Sequence, residues 1–417
     1  MRKWVEQMNN IIKFELKKII TNKISWVSII FILGFIVTFI AASLSSVYSY
    51  DENGGELNGF AAISRENQLT HPLAGEVTLE TISNVISKRQ ELTDKGAKDV
   101  SEEEYGVKWH KYQGFNQLIC YAYAKEANTF DYYVIDTLIP EDGEQFYSNR
   151  TKKVNQLLDM DYTYGNYTLA EKEYFLNMNE KVKIPLYYDY NLGWQNLLMY
   201  LPTFCLLLSF VMCTCIAPVF SNEYQTKTDS VIFSSKYGRT KVFSSKIKAS
   251  FIFSTLLYMI ATLILSLTML GIFGFEGFNS NLQINDFIAP YNVTMLQAYF
   301  ITIGLGYLAY LSLMTITLFI STKMKSNFGV IIISAVVLFI PTLIPHSRTF
   351  RLINYIVDLF PSKIMNGLTV LRSYKLYNIF GILVPQPWVM VAVSVLLSCV
   401  MIFFAHNSYK KHQVENS

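Results

Sequence analysis

ISWVSIIFILGFIVTFIAASLSSV, residues Ile24–Val47, runs for 24 positions without a charged side chain. About 20 such residues in a helix cross the ~30 Å hydrocarbon core of a bilayer, so the stretch reads as a membrane span. Five more apolar stretches follow: Asn196–Phe220, Ile247–Phe275, Met295–Ile320, Phe328–Ile344 and Pro387–His406. One of them alone would suit a buried core helix. Six, in a 417-residue chain that is 51% hydrophobic and 16% charged, predict an all-α polytopic membrane protein.

Between the first and second stretches lie residues 48–195, with 24 Asp/Glu against 14 Lys/Arg, a net charge of −10. The rest of the chain carries 21 basic and 8 acidic residues, a net of +13. Basic residues are retained on the cytoplasmic side of a membrane. Residues 1–23, 221–246 and 407–417 are basic and are placed inside as the amino-terminal interface helix, a cytoplasmic loop and the tail. Residues 48–195 then form an inserted, mainly helical extracellular domain. Both termini are cytoplasmic, and the chain is expected in the plasma membrane. Residues 345–386 should also lie outside, although they contain Arg348, Arg351, Lys363, Arg372 and Lys375. Re-entrant or interfacial helices with snorkelling side chains would accommodate them.

Within the insert, Thr78–Lys95 puts Leu79, Ile82, Val85 and Ile86 on one helical face. Ser101–Glu104 and Thr168–Glu171 both fit the capping box that starts a helix. Cys120 is the insert's single cysteine, so no internal disulfide exists and the domain is expected to be held by its own core.

The spans contain no Asp, Glu, Lys or Arg between their polar ends, which argues against an ion-coupled carrier. The five histidines have no metal-ligand spacing, and Cys213 and Cys215 sit in apolar surroundings, so no metal site is expected. No phosphate-loop motif is present. The chain is therefore not expected to be an enzyme by itself, to carry a cofactor, or to bind nucleic acid.

Two cytoplasmic features carry positive signal. Residues 3–20 form a basic amphipathic helix with Trp4, Met8, Ile12 and Leu16 on its apolar face, suited to the inner membrane interface. The loop from 221 onward holds Glu223, Thr226 and Asp229, then the apolar triplet Val231, Ile232 and Phe233, then Arg239. An apolar knob between polar flanks suggests docking into a partner's groove.

This pattern resembles the permease subunit of ABC-2 type ATP-binding-cassette exporters. The resemblance rests on Asn10-Ile-Ile-Lys-Phe-Glu-Leu-Lys-Lys18 leading into the first span, and on Glu223-Tyr-Gln-Thr-Lys-Thr-Asp229 with Lys236-Tyr-Gly-Arg239 after the second. The six-span count and the proline-punctuated segment before the last span agree with it. It covers roughly residues 5–47 and 196–410, and the family's short first outer loop is replaced here by the insert. The resemblance implies a cytoplasmic ATPase partner that holds the ATP and Mg, with Glu223, Thr226, Asp229, Val231, Ile232, Phe233 and Arg239 in the coupling region. It also implies a second permease chain, identical or related, and an amphiphilic substrate such as a peptide, antibiotic or lipid. A membrane receptor, whose outer domain senses a ligand and whose loop recruits a partner, shares the same features.

Overall fold

The computed structural model describes residues 2–93, 104–127 and 129–412, with side chains of the first helix described from Asn10 onward. That helix, α1 (Arg2–Ile20), is separated from α2 (Lys23–Ser46) by a corner built on Asn22. Asn22 is extended, and its side-chain oxygen accepts the Ile24 N–H at 3.1 Å, so a second helix starts in a new direction. Ser25 Oγ closes the corner by donating to the Ile19 carbonyl at 2.7 Å. Ile12 and Leu16 lie half-buried against the bundle core. Trp4 and Met8 fall outside the described side chains.

The insert opens with the hairpin β1 (Tyr48–Tyr50) and β2 (Glu56–Asn58), continues through α3 (Gly59–Thr70), β3 (Gly75–Val77), α4 (Leu79–Thr93), α5 (Gln113–Tyr123), α6 (Phe146–Asp159) and α7 (Leu169–Glu180), and ends on β4 (Leu186–Tyr188). β3 and β4 pair antiparallel, Gly75 opposite Tyr188, and this ladder brings the end of the insert back toward its start. On α4, Ile82, Val85 and Ile86 are buried as the periodicity predicts, whereas Leu79, in the first turn, is exposed. The Thr168–Glu171 capping box is formed: Glu171 accepts the Thr168 N–H at 2.8 Å and Thr168 Oγ1 accepts the Glu171 N–H at 3.3 Å. The Ser101–Glu104 box lies outside the described residues.

The remaining chain forms α8 (Leu192–Ile216), α9 (Pro218–Gln225), α10 (Asp229–Ser234), α11 (Phe243–Phe273), α12 (Met295–Ser321), α13 (Asn327–Leu343), three short helices α14 (Arg351–Val357), α15 (Pro361–Ile364) and α16 (Gly367–Arg372), the hairpin β5 (Leu376–Ile379) with β6 (Ile382–Pro385), and α17 (Gln386–Lys411). Five helices among the described residues are long and apolar enough to cross a membrane: α2, α8 continued by α9, α11 with the turn before it, α12 and α17. The apolar helix α13 has 17 residues and is shorter than these. α8 and α12 fill the interior, with Leu208, Leu305 and Leu313 buried. α2 and α17 turn Phe31, Val37, Leu396 and Phe403 outward, as suits an apolar solvent.

The insert's interior is completed by other segments. Ile284 and Phe287, between α11 and α12, pack into the cluster around Trp109 and Phe146. Tyr374 and Leu376 pack into the cluster around Val154 and Phe175. Arg150, buried beneath, donates to the Phe287 and Ala289 carbonyls at 2.9 and 3.0 Å. Burial pushes its guanidinium below its usual pKa and pushes the nearby Asp286 carboxyl up, against the pull of Arg372 and Arg150. The basic residues of 345–386 meet acids here. Arg351 pairs with Glu171 at 2.5 Å, Arg372 with Asp286 at 3.3 Å, and Lys375 with Asp358. Ion pairs thus take up these three, with carboxylates supplied by the insert (Glu171), the neighbouring loop (Asp286) and the segment itself (Asp358).

Candidate functional site

At the bundle end opposite the insert, Pro218 starts α9 directly after α8, with Ala217 between them. Pro fits the first turn of a helix because its missing N–H would have no partner there. Ser321, the last residue of α12, fastens this joint. Its Oγ accepts the Phe220 and Ser221 N–H groups, each at 3.1 Å, and donates to the Ala217 carbonyl at 2.7 Å.

A four-charge cluster ties α1, α9 and α11 together. Lys246 is wholly buried, and its Nζ donates to Glu223 at 2.7 Å, to Glu15 at 3.1 Å and to the Val219 carbonyl at 2.7 Å. Lys18 Nζ donates to Glu223 at 3.0 Å. Two ammonium groups thus face two carboxylates, and the cluster is neutral as a whole. Such buried pairs add little net stability over an apolar core, but they tolerate no loss of a partner and so fix geometry.

A second block forms around α10. The Asp229 carboxylate meets His412 Nε2 at 3.1 Å, and the His412 ring stacks on Tyr224 at 4.1 Å. Arg239 donates to the carbonyls of Lys410 and His412 at 2.7 and 2.9 Å, and its guanidinium lies 4.3 Å from the Phe233 ring centroid. The carboxyl end of α17, α10 and the turn before α11 are therefore one unit. Thr226 Oγ1 donates to the Asn222 carbonyl at 2.8 Å and finishes α9.

The structure gathers the residues singled out from the sequence and divides them. Glu223, Asp229, Phe233 and Arg239 point inward as fasteners. Ile232 is half-buried, and Val231 is 73% exposed. The apolar triplet is thus not a single knob. Successive residues on a helix point about 100° apart, so three in a row cannot share one face. The large apolar side chains on its outward surface are Val231 and the exposed ring of Tyr237, which lies 5.6 Å from Lys236 Nζ and 3.7 Å from Lys241 Nζ.

Sequence reasoning missed Glu15, Lys18, Lys246, Ser321 and His412. One signal was present: Glu15 falls among Ile11, Ile12 and Ile19 on the apolar side of α1, where a carboxylate needs a buried partner. Nothing local marked the others, since Glu15 and Lys246 are 231 positions apart. Among the described residues, no three His, Cys, Asp or Glu side chains are grouped as a metal site would require. The arrangement links α1, α9, α10, α11 and the end of α17 through ion pairs and hydrogen bonds.

The chain matches no family model, no curated protein and no solved structure. The fold itself is mostly helical, with five membrane-length apolar helices among the described residues, and this defines the broad class of helical membrane proteins.

Proposed function

We propose that this chain is the permease subunit of an exporter driven by a separate ATP-binding-cassette ATPase, moving an amphiphilic substrate out of the cell. The observation that carries the reading is the contrast within 218–248. The exposed Val231 sits on a short helix whose Asp229 holds His412, just past α17, and whose Phe233 packs on Tyr409 of α17 and on Arg239 in the turn before α11. A partner that engages α10 would therefore shift the spans with it. ATP and Mg belong to that partner, and a second permease chain would use the apolar outward faces of α2 and α17.

In this reading α13 is the sixth crossing. Asn327 at its start is tied to Ser221 and Asn222 at 2.6 and 3.2 Å, and its far end runs into the segment that packs on the insert. At 1.5 Å per residue its 17 residues cover roughly 25 Å, slightly less than the ~30 Å core. The insert then lies outside and both termini inside, in keeping with the charge division.

The test is to look for a phosphate-loop ATPase in a neighbouring reading frame and to co-express it with this chain. Val231→Asp should lower the co-purified ATPase at least tenfold, with folding checked by gel filtration. Unchanged co-purification, or the absence of any such ATPase, would count against the reading and favour a receptor.

A further inference from the structure

Between α1, α2 and α11 lies an open hollow of about 280 Å³ with an almost wholly apolar lining. Ile32, Ile36, Phe253 and Ala261 form its buried floor, and the exposed Leu33 and Ile260 stand on its rim. Ala261 leaves the gap, being the one small side chain among the isoleucines, leucines and aromatic residues around it. Trp26 and Ile36 mark its length on α2, roughly 15 Å at 1.5 Å per residue. Its mean section is then roughly 19 Å², against ~80–110 Å² for a helix 10–12 Å across with its side chains. A single hydrocarbon chain fits such a slot, and a helix of another protein does not. Because α2 and α11 are of membrane length, what meets this face is lipid.

The charge at the α1 end of the slot is of one sign. Leu16, Ile20 and Trp26 line that end. Lys13, Lys17 and Lys23 each stand three residues before one of them, the spacing that places two side chains on one face of a helix. All three lysines are exposed, and none has a carboxylate partner among the described residues. Lys18, by contrast, is taken by Glu223. Across residues 10–50 and the whole of α11 the only acidic residue is Glu15, which is buried against Lys246. Unpaired ammonium groups beside a hydrocarbon slot complement a lipid whose headgroup carries net negative charge. A zwitterionic lipid offers the same chains but brings a cation of its own toward the lysines.

We propose that the corner between α1 and α2 binds one anionic phospholipid, with an acyl chain in the slot and the phosphate between Lys17 and Lys23. The exposed ring of Trp26 then sits at headgroup level, where such rings gather in membrane proteins. α1 is held twice over, by the four-charge cluster through Glu15 and Lys18 and by the lipid along Leu16 and Ile20. Phe31, on the face assigned to a second permease chain, points roughly 160° away from Leu33 around α2, so lipid and partner chain use different faces. The inference needs the membrane setting alone, and binding is measured without nucleotide or ATPase, so its failure leaves the exporter reading untouched.

The experiment titrates the full chain, purified in non-ionic detergent, with dioleoyl phosphatidylglycerol or dioleoyl phosphatidylcholine and reads bound lipid by native mass spectrometry. The first phosphatidylglycerol should bind at least tenfold more tightly than phosphatidylcholine, and excess inorganic phosphate should not displace it. Lys17→Ala combined with Lys23→Ala should bring the two lipids to within about threefold of each other. Ile260→Trp, a change on the exposed rim that fills the slot, should weaken both lipids at least fivefold. Lys323→Ala, at an exposed lysine between α12 and α13, should alter neither. Equal binding of the two lipids, undiminished affinity in the folded variants, an equal loss in Lys323→Ala, or displacement by phosphate overturns the proposal. So does conversion of a dimer to a monomer by Ile260→Trp with lipid binding intact, which would assign the slot to a second copy of the chain.

Discussion

Lys246 shows how a residue's meaning can change between sequence and structure. In the sequence it is one of five basic residues between the second and third apolar stretches, a marker of which side faces the cytoplasm. In the structure it is the wholly buried centre of the four-charge cluster. Lys246→Met would leave Glu15 and Glu223 to share Lys18 alone. Breaking one partner of a buried ion pair costs about 3–5 kcal/mol, and a loss of that size is expected in the detergent unfolding of this variant. Adding Glu15→Gln restores charge balance, because Glu223 keeps Lys18, and should recover at least half of the loss. A Lys246→Met variant within about 1 kcal/mol of the parent would remove the cluster's claim to fix α1, α9 and α11. The basic character of Lys246 was legible in the sequence. Its partners were not, because they come from two other helices that only the fold brings near.

The contrast recurs for whole elements. The start of α7 was legible, since Thr168 and Glu171 are spaced for reciprocal capping, and the structure forms that box. Nothing near Glu171 in the chain signals that it also receives Arg351 from α14, 180 positions away. Glu171 thus starts one helix and anchors another. Glu171→Gln keeps a capping side chain but loses the charged hydrogen bond, which contributes about 1.5–3 kcal/mol. Each 1.4 kcal/mol is tenfold in an opening equilibrium, so hydrogen exchange across 169–180 should speed up roughly ten- to a hundredfold. Glu171→Ala loses the cap as well and should exchange faster still. Exchange rates equal to the parent in both variants would mean that α14 is held without this pair. The split of Val231, Ile232 and Phe233 belongs to the same scale: apolar content was readable, but which side of a six-residue helix faces the protein depended on Tyr409, His412 and Arg239.

For the molecule as a whole, the long apolar helices and the charge division were plain in the sequence, and the described residues include five helices of spanning length. The independence expected of the acidic insert was a different matter. A 148-residue stretch is large enough for a core of its own, and only packing shows that Ile284, Phe287, Tyr374 and Leu376 complete the interior from elsewhere in the chain. All four are buried, and burying such a side chain contributes roughly 1.5–3 kcal/mol. Their joint share, on the order of 6–12 kcal/mol, is comparable to the whole stability of an ordinary domain, ~5–15 kcal/mol. Arg150 would also lose the Phe287 and Ala289 carbonyls and be left with unpaired donors. A fragment of residues 48–191 should accordingly keep helical far-ultraviolet circular dichroism but melt without a cooperative transition and give poorly dispersed amide resonances. A sharp thermal transition in that fragment would show that the insert folds by itself. In the intact chain, Phe287→Ala should loosen the insert while leaving the bundle in place, because Phe287 packs into the insert's cluster from the loop between α11 and α12. The loop between α11 and α12 and the segment 345–386 therefore both pack into the insert, and a movement of α12 or of 345–386 reaches it directly.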